Sequence, residues 1–252
     1  MSFDSRKAIP TNHEKHPSRI GQMFNRIAPT YDFLNHFLSA GIDVKWRKAA
    51  VRGLGIERGN LVLDLACGTG DLGFAALEKE PYCQVIGIDL AFNMLQIARK
   101  KAARKGLDTG QYTFFSGDIL RLPFHSSIFD RAMVAFGIRN VMDTGRAFKE
   151  IYRVLKPHGL LAVLEFTLPR KPLLRDLYLI YFRKLLPFIG GLVSGDPGAY
   201  QYLPSSVDSF TPPEVLSLEM QKTGFIIRTT KLYTGGISYL LLGEKKANNA
   251  SA

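Results

Sequence analysis

Short apolar runs and amphipathic stretches alternate along the middle of this chain. Runs rich in Leu, Val, Ile and Phe at Asn60–Leu65, Gln84–Asp89, Tyr112–Ser116, Arg131–Phe136 and Leu160–Phe166 predict strands. Apolar groups at helical spacing predict helices between them, over Leu72–Lys79, Asn93–Lys105 and Thr144–Leu155, the last closed by Lys156-Pro157-His158-Gly159. In the Asn93–Lys105 helix, Met94, Leu95 and Ala98 fall on the inward face, and Lys100, Lys101, Arg104 and Lys105 gather near the C-terminus, where cations suit the helix dipole. Such alternation means a parallel sheet covered on both faces, hence an α/β fold. The end of the chain differs. Thr211 is placed to cap a helix that begins at Pro212-Pro213-Glu214 and ends at Gly224, and Phe225–Leu232 and Ile237–Gly243 read as two strands joined by a turn at Gly235-Gly236.

The first part of the chain is helical in pattern. Ile20 to Ala28 places apolar groups at helical spacing, Pro29 is expected to stop that helix, and Thr30-Tyr31-Asp32-Phe33-Leu34-Asn35 starts another element. The segment ends near Trp46, the only tryptophan. The expected organisation is an N-terminal helical cap over 1–48, a main domain over 49–246 carrying an insertion at 168–210, and a disordered polar tail over 247–252. Within the insertion, Leu173 to Ile189 is rich in Leu, Tyr, Phe and Ile, with Arg175, Arg183 and Lys184 interspersed. It reads either as a core-packed lid helix or as an apolar wall for a greasy substrate, with cations reaching lipid head groups.

The chemistry concentrates where the first predicted strand ends. Leu61-Val62-Leu63-Asp64-Leu65-Ala66-Cys67-Gly68-Thr69-Gly70-Asp71 runs from strand into a glycine-rich turn, and a second apolar run closes on Asp89 about 20 residues later, the layout of a nucleotide-binding βαβ unit. Gly68 to Gly73 formally matches the dinucleotide fingerprint, in which a helix N-terminus receives a doubly negative pyrophosphate. Here Asp64 and Asp71 flank the turn, and carboxylates there would repel a pyrophosphate while suiting an ammonium and a sulfonium. S-adenosylmethionine carries both, with Asp89 accepting its ribose hydroxyls; NAD is the competing reading. A hairpin closing an otherwise parallel sheet separates the Rossmann-like Class I S-adenosylmethionine-dependent methyltransferase sheet from the dehydrogenase sheet and favours the same cofactor. The predicted fold class is therefore that one, a parallel sheet with a C-terminal antiparallel hairpin.

Bulk properties narrow the partners. A chain of 252 residues, 46% hydrophobic, can fill the core of one such domain. No apolar stretch reaches the roughly 18 residues that span a bilayer, and Met1 to Lys7 shows no apolar secretion-type region. Cys67 and Cys83 give neither a disulfide framework nor metal spacing, so a reducing cytoplasm is expected and no metal. The net charge of +11 leaves nucleic acid and an anionic membrane surface as partner classes, beside a merely basic, soluble surface.

Several stretches carry a further signal: Tyr31-Asp32-Phe33-Leu34-Asn35-His36-Phe37 with its continuation to Arg47, Phe136-Gly137-Ile138-Arg139-Asn140-Val141, Arg153 to Gly159 followed by Leu164-Glu165-Phe166-Thr167, Tyr202 to Ser206, and Thr234-Gly235-Gly236-Ile237. Together they resemble the UbiE/MenG family of quinone-ring C-methyltransferases from ubiquinone and menaquinone biosynthesis. The likeness covers nearly the whole chain. Two positions depart from it, Asp43 where the family usually has His and His158 where it usually has Gly. The resemblance implies S-adenosylmethionine as cofactor, with Thr69 in the turn, Asp89 on the ribose and Asp118-Ile119 after the third strand, where the Asp118 carboxylate can accept the adenine amino hydrogens; Asp64, Gly68 and Gly70 join them from the reading of the turn itself. It implies a polyprenyl quinol as substrate, either demethylmenaquinol or a 2-polyprenyl-6-methoxy-1,4-benzoquinol.

An oxidised quinone is electrophilic and cannot attack a methyl group, so the reactive species is the hydroquinol ionised at a phenol. With a phenol pKa near 10, about 4 kcal/mol separates it from the phenolate at pH 7. Arg139 is the candidate to stabilise that charge. Asn140 would hold the second ring oxygen, Tyr31, Asp32 and Asn35 would close the site, and Glu165 is a candidate base. The rivals are a methylase of another small molecule or lipid and, less favoured, an RNA methyltransferase, because Phe136-Gly137-Ile138-Arg139 stands where base-methylating enzymes carry Asp/Asn-Pro-Pro-aromatic. A cytoplasmic protein, peripheral at the inner face of the membrane, with a homodimer as candidate assembly and nucleic acid disfavoured, completes the expectation.

Overall fold

The computed structural model describes residues 16–108, 110–181 and 212–247. Helix α1 (Pro17–Leu38) and helix α2 (Ile42–Leu54) precede strand β1 (Leu61–Leu65). There follow α3 (Asp71–Lys79), β2 (Gln84–Asp89), α4 (Phe92–Arg104), β3 (Tyr112–Ser116), β4 (Phe129–Ala135), a 3-10 turn at Ile138–Asn140, α5 (Thr144–Val154), β5 (Leu155–Phe166) and α6 (Pro172–Ile180). The last elements are α7 (Pro213–Lys222), β6 (Phe225–Tyr233), a 3-10 turn at Thr234–Gly236, and β7 (Ser238–Lys245). Tyr202 to Ser206, Arg183, Lys184, the expected cap Thr211 and the 248–252 tail lie outside the described residues, as does the side chain of Asn35.

The strands form one seven-stranded sheet in the order β3-β2-β1-β4-β5-β7-β6. β3, β2, β1, β4 and β5 pair in parallel, and β7 runs antiparallel to both β5 and β6. The inner strands read as continuous apolar runs because both faces are covered. One face packs Leu54, Val62, Leu77, Val85 and Leu95 beneath α2, α3 and α4; the other packs Leu63, Leu65, Phe148, Ile151 and Leu216 beneath α5 and α7. The order reverses at β1 and β4, so their C-terminal ends open the crevice in which such sheets bind ligands.

Two expectations change. Lys156 to Gly159 is not a loop between α5 and the next strand: β5 begins at Leu155, and the ladder with β4 slips between Phe129 and Arg131 to absorb the extra residues. His158 sits there at φ 61, the left-handed region that favours glycine. Pro29 does not end the first helix either; α1 runs through it. A proline in a helix leaves the carbonyl four residues back without its partner. That carbonyl is Asn25 O, and the Asn93 side-chain amide from α4 donates to it at 3.1 Å, while Asn93 N–H donates to Asn25 Oδ1 at 2.7 Å. The tertiary contact supplies what the local sequence removes. Helix α2 likewise runs past residue 48, from Ile42 to Leu54, and packs on the sheet beside β5.

Candidate active site

Helix α1 roofs a cavity of about 790 Å³ at the C-terminal ends of β1, β2 and β4. Its floor is the glycine-rich turn after β1. Ala66 and Gly68 stand at φ 49 and 54, and Gly70 (φ 87) caps α3. Gly68 N–H donates to Asp89 Oδ2 at 2.8 Å, and Ala91 N–H donates to Asp89 Oδ1 at 2.7 Å. Burial pushes the Asp89 carboxyl above its ordinary range, and these N–H bonds oppose the shift. A carboxylate offers about four acceptor sites, so Asp89 keeps acceptor capacity toward the cavity beside these N–H bonds. Asp118, which accepts Leu120 N–H at 2.9 Å, and the buried Ile119 line the same cavity.

Asp64, Thr69 and Arg139 stand outside the lining, as does Gly70. Asp64 is 1% exposed beneath the turn, where it accepts Tyr112 Oη–H at 2.6 Å and Gly73 N–H at 3.0 Å. Burial raises its carboxyl to about 7. The third glycine of the apparent dinucleotide fingerprint has a packing reason, since a Cβ on Gly73 would lie 2.2 Å from Tyr112. Asp71 is tied to Lys101 and lies 3.4 Å from His36 Nε2. Thr69 donates its hydroxyl to Asp32, which also accepts from Lys101 Nζ at 2.8 Å. His36 Nδ1 lies 3.0 Å from Asp43 Oδ2, and Asp43 holds Arg47 and Ser39. The hydrogen bond to Asp71, reinforced by Asp43, raises His36 to about 9. This cluster pins the second half of α1 to α2, α3 and α4, and it gives Asp43 an anchoring place away from the cavity. The carboxylates that face the cavity are therefore Asp89 and Asp118, rather than the Asp64 and Asp71 expected to flank a cationic cofactor.

The opposite wall is the corner after β4. Phe136 (φ 59), Gly137, Asn140, Val141 and Met142 line it, facing Tyr31 and Phe24 of α1. A Cβ on Gly137 would lie 2.7 Å from that of Ala66, so the corner and the glycine-rich turn touch. Arg139, 3% exposed, lies behind the wall. Its Nη1 donates to Glu165 Oε1 at 2.6 Å and to the Phe136 carbonyl at 2.5 Å, and its guanidinium lies 5.5 Å over the Phe166 ring. Glu165 has no exposed surface, and its oxygens accept Arg139 N–H at 3.3 Å and Phe166 N–H at 2.9 Å, so its expected role as a base toward substrate is replaced by a partnership with Arg139. Tyr31, expected at the site, is joined on the α1 side by Pro17, Ile20, Gly21 and Phe24, which the sequence did not point to; together they form one helical stripe whose spacing is legible once the helix is allowed to pass Pro29.

The residues present fit a nucleoside beside a second, ring-sized ligand: a glycine turn open to close approach, acids after β2 and β3, and an aromatic and amide wall opposite. Among the described residues no cluster of His, Cys, Asp and Glu could hold a metal ion. The sheet order, its antiparallel end and the cavity at the switch point define a Class I S-adenosylmethionine-dependent methyltransferase fold. A solved structure described as a possible histamine N-methyltransferase from Thermotoga maritima superposes with a TM-score of 0.62 over 90% of this chain and 100% of its own, at 23% identity, a likeness of fold alone.

The chain belongs to the ubiE/COQ5 methyltransferase family, whose model matches residues 12–245. The demethylmenaquinone methyltransferase of Thermus thermophilus is 46% identical over 224 residues, 88% of this chain and 100% of the relative. The ubiquinone/menaquinone biosynthesis C-methyltransferase UbiE of Syntrophotalea carbinolica is 44% identical over 221 residues, 88% of this chain and 92% of the relative.

Proposed function

We propose that this chain methylates a ring carbon of a polyprenyl quinol, the demethylmenaquinol or the benzoquinol precursor of ubiquinone, using S-adenosylmethionine. The observation that carries the reading is one cavity with two unlike walls, acids and glycines on the nucleoside side and Phe136, Asn140, Tyr31 and Phe24 on the other. The relatives named above act in quinone biosynthesis by their names, which supports the same substrate class. When bound, S-adenosylmethionine supplies a methyl group already activated by its positive sulfur.

The protein orients the ring and excludes water. Asn140 and Tyr31, both in the lining, hold the ring oxygens. Arg139, ion-paired with Glu165 behind the wall, acts on the ring through the corner that carries Asn140 rather than as a free charge, and a guanidinium does not accept the phenol proton. Thr69 supports the cofactor turn from behind through Asp32, and Asp64 does so through Gly73.

The cytoplasmic, membrane-peripheral placement is part of this proposal. No helix among the described residues is long and apolar enough to cross a membrane. The net charge of +11, with Leu173, Leu177 and Ile180 of α6 at 75%, 58% and 57% exposure, supports contact with an anionic lipid surface. The test is methyl transfer from labelled S-adenosylmethionine to short-chain demethylated naphthoquinol and benzoquinol, each kept reduced. Product carrying label on a ring carbon is expected. Label on neither ring, with S-adenosylmethionine bound, would refute the substrate class.

A further inference from the structure

We infer that Glu165 is the positioning residue of the ring-facing wall: one buried carboxylate on β5 fixes the corner after β4 and, through it, the place of Asn140 in the cavity. The corner needs fixing. Phe136 holds a left-handed backbone at φ 59, which a residue with a side chain keeps only when its surroundings determine it. The chain leaves the ladder there: after Phe136 N–H reaches Leu164 O at 2.8 Å, the 3-10 bonds from Asn140 N–H to Gly137 O and from Val141 N–H to Ile138 O, both 3.1 Å, tie the corner to itself, and the Arg139–Glu165 contacts tie it to the sheet. Arg139 Nη1 bridges the Phe136 carbonyl and Glu165 Oε1, and Glu165 Oε2 takes the Arg139 backbone N–H. The other end of this brace is rigid. Glu165 lies on an inner strand opposite Tyr239 of β7, Phe166 N–H donates to its Oε1, and its carbonyl accepts Ser238 Oγ–H at 3.0 Å.

The brace acts on one wall only. The corner supplies Phe136, Gly137, Asn140, Val141 and Met142 to the cavity, whereas the cofactor side comes from Gly68, Asp89 and Asp118, whose own hydrogen bonds run to Asp89, Ala91 and Leu120. Weakening the brace therefore misplaces the ring while leaving nucleoside binding intact. The inference rests on the quinol reading for its substrate.

The experiment is Glu165→Gln in the full chain, with S-adenosylmethionine affinity by calorimetry, quinol kinetics, and emission of Trp46, the sole tryptophan, whose ring lies 6.2 Å from Phe136 and 6.0 Å from Phe166. Cofactor affinity within about 3-fold of the parent, kcat/KM for quinol lower by about 10²-fold and a shifted Trp46 emission are expected, since small misplacements of a reacting group cost about that much. Glu165→Asp, which keeps the charge and shortens the reach, is expected to fall between the two. If Glu165→Gln does not fold, the double exchange Arg139→Met with Glu165→Leu replaces the pair by apolar groups of similar volume, a change that buried pairs often tolerate; retained cofactor binding with lost turnover and a shifted emission are expected again. Parent-like quinol kinetics, or a parallel loss of cofactor affinity and turnover, would overturn the inference. A parent enzyme inactive on every quinol would instead sink the substrate reading, and emission with cofactor affinity would still decide the role of Glu165.

Discussion

Exchange of Gly73 for alanine tests whether the third glycine of the turn serves packing. In an exposed helix Ala is better than Gly by about 1 kcal/mol, so without a steric obstacle Gly73→Ala would stabilise α3. The structure gives the opposite sign. The new Cβ would lie 2.2 Å from both Cζ and Oη of Tyr112. Tyr112 has no room to retreat: it is 3% exposed, edge-on to Phe74 at 5.2 Å and tilted against Phe114 at 4.1 Å. Forcing extra volume into a packed core costs about 1–3 kcal/mol, and displacing the Tyr112 hydroxyl from Asp64 removes a hydrogen bond to a charged group worth about 1.5–3 kcal/mol. Net of the helix gain, Gly73→Ala is expected to destabilise by about 2–5 kcal/mol. Urea unfolding reads this as a lower midpoint at unchanged slope. Tyr112→Leu in the same chain should recover part of the loss and show strong coupling in a double-mutant cycle. A Gly73→Ala protein as stable as the parent, or additive with Tyr112→Leu, would refute the packing account.

Three further outcomes are expected. The His36 contribution is fully present below about pH 6.5 and is lost as pH rises toward its folded value of about 9; Asp64 also lowers stability as pH rises, but mainly up to its value of about 7. Urea midpoints of parent and His36→Gln should therefore converge between pH 7 and 9, and a constant difference would remove His36 from the cluster. Asp89→Asn should weaken S-adenosylmethionine binding by about 10- to 100-fold, the value of a hydrogen bond to a charged group, measured by calorimetry; unchanged affinity would displace Asp89 from the ribose. Arg139→Met should lose turnover with cofactor affinity retained, and near-parent turnover would show that the corner carrying Asn140 does not depend on Arg139.

Much of the frame was readable because the inner strands are apolar on both sides and their ends carry glycine or acid, signals that need no tertiary knowledge. Gly68, Asp89 and Asp118 reached the cavity for that reason. The errors share a different cause. Pro29 reads as a stop because its local penalty is large, but the compensating donor, Asn93, lies in another helix. Asp64 and Asp71 were assigned to a ligand because they flank the turn, yet Tyr112 and Lys101, distant in sequence, claim them. Glu165 looked like a base because it ends a strand, and only the fold shows Arg139 folded back upon it. Sequence position locates a charged side chain; its partner decides its work.

The clamp at Asn25 has a mechanical consequence. Proline divides α1 into two stretches: Pro17, Ile20, Gly21 and Phe24 shelter the cavity, while Asp32 and His36 are bolted down by charge. The seam between them is held from outside by Asn93, only a few residues along the chain from Asp89. The roof is thus tethered to the same short span that carries Asp89. Displacing the Asn93 clamp would therefore disturb the roof and the Asp89 span together.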